Sequence, residues 1–328
     1  MARVLVLGGA GFVGSHLATR LAEDGHELTL VDDLSRGQAD ATLAALTARP
    51  GVRFVQADLT APDALNGLPR RWDQVYMLAA VVGVRNVERD PARVIRTNTL
   101  ALTTVLDWLP ADGETLFFSS TSEVYAGSVA LGLAPLPTPE SVPLAIADVA
   151  APRSSYAISK LLGEAAVIHT GRARGLRWVI GRYHNVYGPR MGVDHVIPEL
   201  ALRAFRREDP FKVYGAQQRR AFCHIADAVE ATLRLTTTDA AHGHIVNIGN
   251  DSEETLIEDL ATLVLRRAGW APALQRLPAP AGSPERRCPD LARLHALTGL
   301  TPKVSLETGV GETLDWYRAW WQREGGRR

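Results

Sequence analysis

A phenol and an ammonium stand four residues apart in Tyr156-Ala157-Ile158-Ser159-Lys160. On a helix, that spacing puts both on one face. A tyrosine with a pKa near ~10 is a poor base at neutral pH. A neighbouring ammonium, together with the positive ring of a nicotinamide, stabilises the phenolate. Tyr156 can then accept a proton from a substrate hydroxyl while hydride passes to that ring, and Lys160 can also hold the nicotinamide ribose. A second polar cluster, Ser119-Ser120-Thr121-Ser122-Glu123-Val124-Tyr125, follows an apolar strand pattern. Ligands of open parallel sheets sit at the C-terminal ends of strands. Thr121 can hydrogen-bond the reacting hydroxyl beside Tyr156, and Glu123 can move a proton next to a newly formed ketone.

This chemistry needs a dinucleotide, and the N-terminus carries a site for one. Gly8-Gly9-Ala10-Gly11-Phe12-Val13-Gly14 follows the first strand pattern directly and opens a helical one. Gly8 permits the tight turn, Gly11 lets backbone approach a pyrophosphate, and Gly14 lets helix and strand pack closely. The helix N-terminus then faces the phosphates. The second strand pattern ends in Asp32, an acid suited to ribose hydroxyls and repelled by a ribose phosphate, so NAD is expected over NADP. Arg36 is a counter-signal to that preference. Asp58 reaches an adenine edge or caps the following helix, Thr60 being another cap candidate.

The elements that must position these groups alternate. Strands are expected at Arg3–Leu7, Glu27–Val31, Val52–Gln56, Gln74–Leu78, Thr115–Ser119 and Trp178–Gly181, with helices at Val13–Glu23, Ala92–Leu109 and beyond Tyr156. Strands alternating with helices imply an α/β fold, a Rossmann-type doubly wound parallel sheet. Later helices are expected at Ile197–Arg206, Ile225–Leu235, Ile257–Ala268 and Leu306–Trp321, and the Pro-rich stretches Leu133–Pro143 and Leu277–Pro284 read as loops. The expected organisation is a cofactor-binding domain over 1–180, to which segments around 222–248 return, and a smaller α/β substrate lobe mainly within 181–328.

The 328 residues are 46% hydrophobic, ample for a buried core. Lys+Arg and Asp+Glu both total 36, which gives no push toward nucleic acid or an anionic membrane. No stretch approaches the ~20 apolar residues of a membrane span. The N-terminus does not read as a secretory signal, and Cys223 and Cys288 do not form a disulfide framework. A cytoplasmic protein is expected. The histidines show no metal-ligand spacing, so no metal is expected.

These motifs resemble the extended short-chain dehydrogenases that modify nucleotide sugars, and the resemblance covers nearly the whole chain. It implies a catalytic set of Thr121, Tyr156 and Lys160, with Asn98 as the buried asparagine of the helix behind the nicotinamide. It extends the cofactor set to Phe12, Val13, Asp33, Ser35, Arg36, Leu59, Leu78, Ala79, Ala80, Ser119 and Tyr183. Arg182-Tyr183-His184-Asn185-Val186-Tyr187-Gly188-Pro189-Arg190 resembles the family's substrate strand, with Asn185 toward a sugar diphosphate. Lys212-Val213-Tyr214-Gly215 and Arg219-Arg220-Ala221-Phe222 resemble its nucleotide-holding strand and arginine. Val196, Ser122 and Arg286 complete the implied substrate set. A homodimer is implied through the helices of Ala92–Leu109 and Tyr156–Gly171.

Members of this family are thought to begin by oxidising carbon 4 of the sugar. Epimerisation, loss of water or loss of carbon dioxide can follow. The 4,6-dehydratases carry an Asp-Glu pair after the threonine, where this chain has Ser122-Glu123. Simple 4-epimerases usually lack an acid at the Glu123 position. Thr121-Ser122-Glu123, Pro152-Arg153-Ser154-Ser155-Tyr156 and Glu285-Arg286-Arg287-Cys288-Pro289-Asp290 resemble the UDP-glucuronate decarboxylases, in which Arg287 matches the arginine proposed to protonate carbon 5. The chain departs from them at Val81-Val82-Gly83-Val84-Arg85-Asn86, in an apolar loop that usually carries prolines and a tyrosine. There Arg85 is either a substrate contact or a surface residue. Leu161 and Ala126 are further departures. Decarboxylation of UDP-glucuronate is the leading expectation, with a 4-epimerase or a dehydratase as alternatives. A non-catalytic NAD sensor is a remote one, because a sensor has no need of Thr121, Tyr156 and Lys160.

Overall fold

The computed structural model describes residues 1–110, 114–280 and 282–323. Six strands, β1 (Arg3–Leu7), β2 (Glu27–Asp32), β3 (Val52–Gln56), β4 (Gln74–Met77), β5 (Thr115–Thr121) and β6 (Arg177–Tyr183), join His244–Ile248 in one sheet. Every pairing in it is parallel. From one edge the order is His244–Ile248, β6, β5, β4, β1, β2, β3. The chain winds outward in one direction through β1, β2 and β3, and in the other through β4, β5 and β6. The reversal lies between β1 and β4, where a crevice opens beyond their C-terminal ends.

Both faces of the sheet are covered, which is why its strands read as continuous apolar runs. Val4 and Val6 point into one cluster with residues of the helices Phe12–Glu23 and Ile225–Thr237. Leu5 and Leu7 point into the other with residues of Pro91–Trp108 and Ser154–Arg174. The helix starts are local: Asp40 accepts from Thr42 N and Leu43 N, and Asp90 accepts from Arg93 N ahead of Pro91. A third apolar cluster, with Ile197, Phe211, Leu260, Val264 and Leu314, is built by the helices Val196–Phe205, Ile257–Ala268 and Leu306–Arg323 and the strand Phe211–Tyr214.

Three local expectations need correction. β5 runs to Thr121, two residues past the expected end at Ser119, so Thr121 is the last residue of the strand. The segment expected as an apolar loop folds at Val84–Arg89 into a short helix, because Gly83 at φ 98° turns the chain and Val87 is buried against Val81 and Val94. Helices at Ala41–Thr47 and Ala292–Thr298 were not foreseen; each is only two turns long and shows too little periodicity to read. Ala281, in the loop expected over Leu277–Pro284, lies outside the described residues. Both cysteines are buried free thiols. Among the described residues no helix is long and apolar enough to cross a membrane.

Candidate active site

The crevice at the sheet reversal is a cleft of about 460 Å³. Its floor is the glycine turn. Gly8 holds φ 89°, and a Cβ there would stand 2.7 Å from Ala79 N. A Cβ on Gly14 would stand 2.0 Å from Gly8 O, so any larger residue would push helix and turn apart. Gly11 caps the helix Phe12–Glu23 with no side-chain acceptor, leaving its first N–H groups available to an anion. Asp32, 8% exposed, accepts from Ala10 N at 3.0 Å and Leu34 N at 2.9 Å. Burial raises its pKa although both bonds oppose that. Its two oxygens retain lone pairs for ribose hydroxyls. This donor set fits a dinucleotide diphosphate and an unphosphorylated adenosine ribose.

The expected cofactor residues line this cleft from Gly8 to Tyr183, with one exception. Asn98 sits behind the wall, accepting from Val81 N at 2.7 Å and donating to Val81 O and Ser159 Oγ. It fixes the backbone beside the helix Ser154–Arg174. Asp58 lines the cleft and accepts from Thr60 N and Thr60 Oγ1 at 2.9 and 2.8 Å, but the segment after it is a run of turns, so the expected helix cap is not formed.

Thr121, Glu123, Tyr156, Lys160 and Arg287 converge on the same cleft. Lys160 is 3% exposed and donates to Ser119 O at 2.7 Å, with its ammonium 5.9 Å from the Tyr156 ring centre. Burial lowers its pKa to about 7, against the pull of Glu164. Burial holds Tyr156 above the ordinary phenol range, and the charge of Glu123 adds to this. A hydrogen bond from Thr121 and the charge of Arg36 act the other way. Glu123 Oε1 is 2.9 Å from Arg287 Nη1. Burial works to raise Glu123, but Arg287, Arg153 and Arg220 outweigh it and hold the carboxyl below its ordinary range. The site thus combines a protonated phenol, a poised amine, and an ionised carboxylate within an arc of guanidinium groups.

The expected substrate residues divide. Ser122 and Asn185 line the cleft; Arg85, Val196, Val213, Tyr214, Arg220 and Arg286 are not among its lining residues. Arg85 pairs with Asp194 at 2.9 Å on the outside, its side chain 76% exposed. Val213 is buried in the third apolar cluster and Tyr214 is 46% exposed. Arg286 pairs with Glu254 at 2.7 Å. Arg220 is buried and donates to the carbonyls of Arg219, Pro284 and Glu285, so it is tied to its own chain. Arg153, Arg190 and His195 line the cleft and were not assigned from sequence. Arg153 carried a local signal, three residues before Tyr156. Arg190 carried none, since its partner Ala10 lies 180 positions away. Among the described residues no group of three metal-ligating side chains occurs.

A behind-the-site network supports the strand end. Arg182 forms a buried pair with Glu164 at 2.6 and 2.8 Å and donates to Tyr125 OH at 2.8 Å. Ser120 Oγ donates to Glu164, and Tyr125 OH to Asn247. The turn carrying Thr121 and Glu123 is therefore braced against β6 and His244–Ile248.

Residues 4–249 match the model of the NAD dependent epimerase/dehydratase family. A UDP-N-acetyl-alpha-D-glucosaminuronate decarboxylase of Bacillus cytotoxicus is 32% identical, over 96% of this chain and 98% of its own length. The UDP-glucuronic acid decarboxylase 1 of Xenopus tropicalis is 30% identical, over 96% of this chain and 72% of its own. Among solved structures, a mutant UDP-glucuronic acid 4-epimerase from Bacillus cereus, in complex with UDP-4-deoxy-4-fluoro-glucuronic acid and NAD, superposes with a TM-score of 0.85. It is 25% identical, with 97% of this chain and 99% of that one covered.

Proposed function

Because the chain belongs to the NAD-dependent epimerase/dehydratase family, we propose that it decarboxylates a UDP-linked uronic acid, UDP-glucuronate first, through a 4-keto sugar. The observation that carries this reading is the Glu123–Arg287 ion pair at 2.9 Å, set in the same cleft as Tyr156. NAD, when bound, supplies a reversible oxidant for carbon 4 of the sugar. Gly8, Gly11, Gly14 and Asp32 would hold it, with Lys160 at its ribose.

Tyr156 takes the proton of the 4-hydroxyl, with Thr121 holding the same oxygen. Lys160, on the same helix face, would favour the phenolate despite burial, and a bound cofactor would add positive charge beside it. A ketone at carbon 4 lies β to the carboxylate on carbon 5, so the bond to that carboxylate breaks with its electrons delocalised onto the ketone oxygen. Glu123 manages the proton beside that oxygen, and Arg287 returns a proton to carbon 5 where carbon dioxide departed. Tyr156 gives its proton back as carbon 4 is reduced. A carboxylate substrate also suits Arg153 and Arg287, which line the cleft around one acid.

Incubation with UDP-glucuronate and NAD should release carbon dioxide and yield a UDP-pentose by NMR. UDP-galacturonate as the sole product would make the chain a 4-epimerase instead. UDP-N-acetylglucosaminuronate belongs in the same panel, given the relative that acts on it. The proposed assembly is a cytoplasmic homodimer through Pro91–Trp108 and Ser154–Arg174, supported by the exposed Ile95, Leu100 and Leu162 on these helices. The two-lobe division, with a cofactor domain over 1–180 and a substrate lobe after it, is part of the same proposal.

A further inference from the structure

Arg190 reaches the glycine turn from the segment that follows Asn185. Its side chain is buried, and the five N–H groups of the guanidinium are shared among six acceptor atoms. Nε donates to Asp40 Oδ2 at 2.7 Å. Nη1 donates to Ala10 O at 3.0 Å, Gly11 O at 3.0 Å and Ser15 Oγ at 2.8 Å. Nη2 donates to Gln38 O at 3.0 Å and Asp40 Oδ1 at 3.1 Å. The turn is thereby gripped from two directions: Asp32 accepts from Ala10 N, and Arg190 holds the Ala10 carbonyl. Gln38 belongs to the loop that carries Asp33, Ser35 and Arg36 to the cleft, so one side chain ties together both parts of the dinucleotide site.

The segment that delivers Arg190 is itself under constraint. Asn185 holds φ 42° and Arg190 φ 68°, left-handed conformations that side-chain-bearing residues adopt rarely. Such conformations persist where the surroundings over-determine them. His16 Nε2 is bonded to Pro189 O at 2.9 Å, and the Tyr317 hydroxyl donates to Met191 O. The same short stretch lines the cleft with Asn185, Gly192 and His195. A ligand contacting these residues and a ligand seated on the glycine turn are therefore separated by one pinned strap.

We infer that Arg190 is a positioning residue that couples occupancy of the nucleotide-sugar side of the cleft to retention of NAD on the glycine turn. The inference rests on the reading that the cleft holds both NAD and a UDP-sugar. An enzyme that reuses its cofactor within one turnover gains from this arrangement, because cofactor release is slowest while the keto sugar is present. The coupling is reciprocal by linkage: whatever factor UDP adds to NAD affinity, NAD adds to UDP affinity.

The test is calorimetric titration of NAD into the purified protein with and without saturating UDP. For the wild type we expect UDP to tighten NAD at least about fivefold, the low end of allosteric coupling. Arg190→Lys keeps the charge and loses the fork, and should bring that ratio to about one. A merely structural role would weaken NAD by one factor in both titrations and leave the ratio intact, which overturns the inference. Should Arg190→Lys not fold, Asp40→Asn loosens the same guanidinium and is read in the same way. A wild-type ratio near one also overturns the coupling while leaving the cleft assignment standing. Failure of the wild type to bind NAD or UDP at all overturns both.

Discussion

Replacing Glu123 by Gln tests the proposed chemistry where it is most specific. The substitution keeps the shape of a side chain that is 26% exposed and 2.9 Å from Arg287, and removes only its charge. Unit charges about 4 Å apart interact by about 4 kcal/mol at an effective dielectric near 20. Loss of a positioned proton-transfer group costs about 10²–10⁴ in rate, or about 2.7–5.4 kcal/mol. The second range is the expected fall in kcat for carbon dioxide release; the first is the attraction that Arg287 loses. Binding should move the other way. Arg287 lines the cleft and pairs with Glu123, and without that partner it is freer to hold an anionic sugar, so KM for UDP-glucuronate should stay level or fall. Glu123 also helps keep Tyr156 protonated. Neutralising it lowers the phenol's pKa, and the acid limb of carbon 4 oxidation, followed by reduced-cofactor absorbance, should shift to lower pH. Carbon dioxide release and cofactor reduction measured on one sample separate the two effects. A kcat for carbon dioxide release within about tenfold of wild type, with the acid limb unmoved, would refute the role given to this carboxylate.

Three further outcomes follow from the same geometry. Tyr156→Phe should lose about 10²–10⁴ in turnover while still binding NAD and UDP, by activity assay and titration; retained activity would remove the phenol from the mechanism. Glu164→Gln leaves the buried Arg182 guanidinium, with a side chain 2% exposed, without its counter-charge. It should cost about 3–5 kcal/mol in denaturant unfolding, and a loss below about 1 kcal/mol would show the network to be dispensable. Burial brings Lys160 to about 7 from an ordinary 10.5, so between those values the unfolded chain binds a proton that the folded chain lacks. Stability of the cofactor-free protein should therefore gain from Lys160 as pH rises through that window, with its burden fully present below. Lys160→Met should flatten that part of the slope of unfolding free energy against pH, and an unchanged slope would contradict the shift.

What the linear chain determined about this protein is whatever short-range pattern can encode. Alternation in β1 through β6, glycines at 8, 11 and 14, Asp32 at a strand end, and a phenol four residues before an ammonium all act within a turn or two. Their backbone consequences are set by sterics and hydrogen bonding among near neighbours. The pairing of Arg287 with Glu123 had no local signal, because nothing near residue 287 announces an acid at 123. Tertiary structure alone decided that His195 lines the cleft and that Arg190 grips Ala10. It also decided that Arg220 is tied to its own chain and that Arg85 faces outward to Asp194. These contacts join segments that share no periodicity. They exist because the sheet reverses between β1 and β4, and because later segments fold back over the opening.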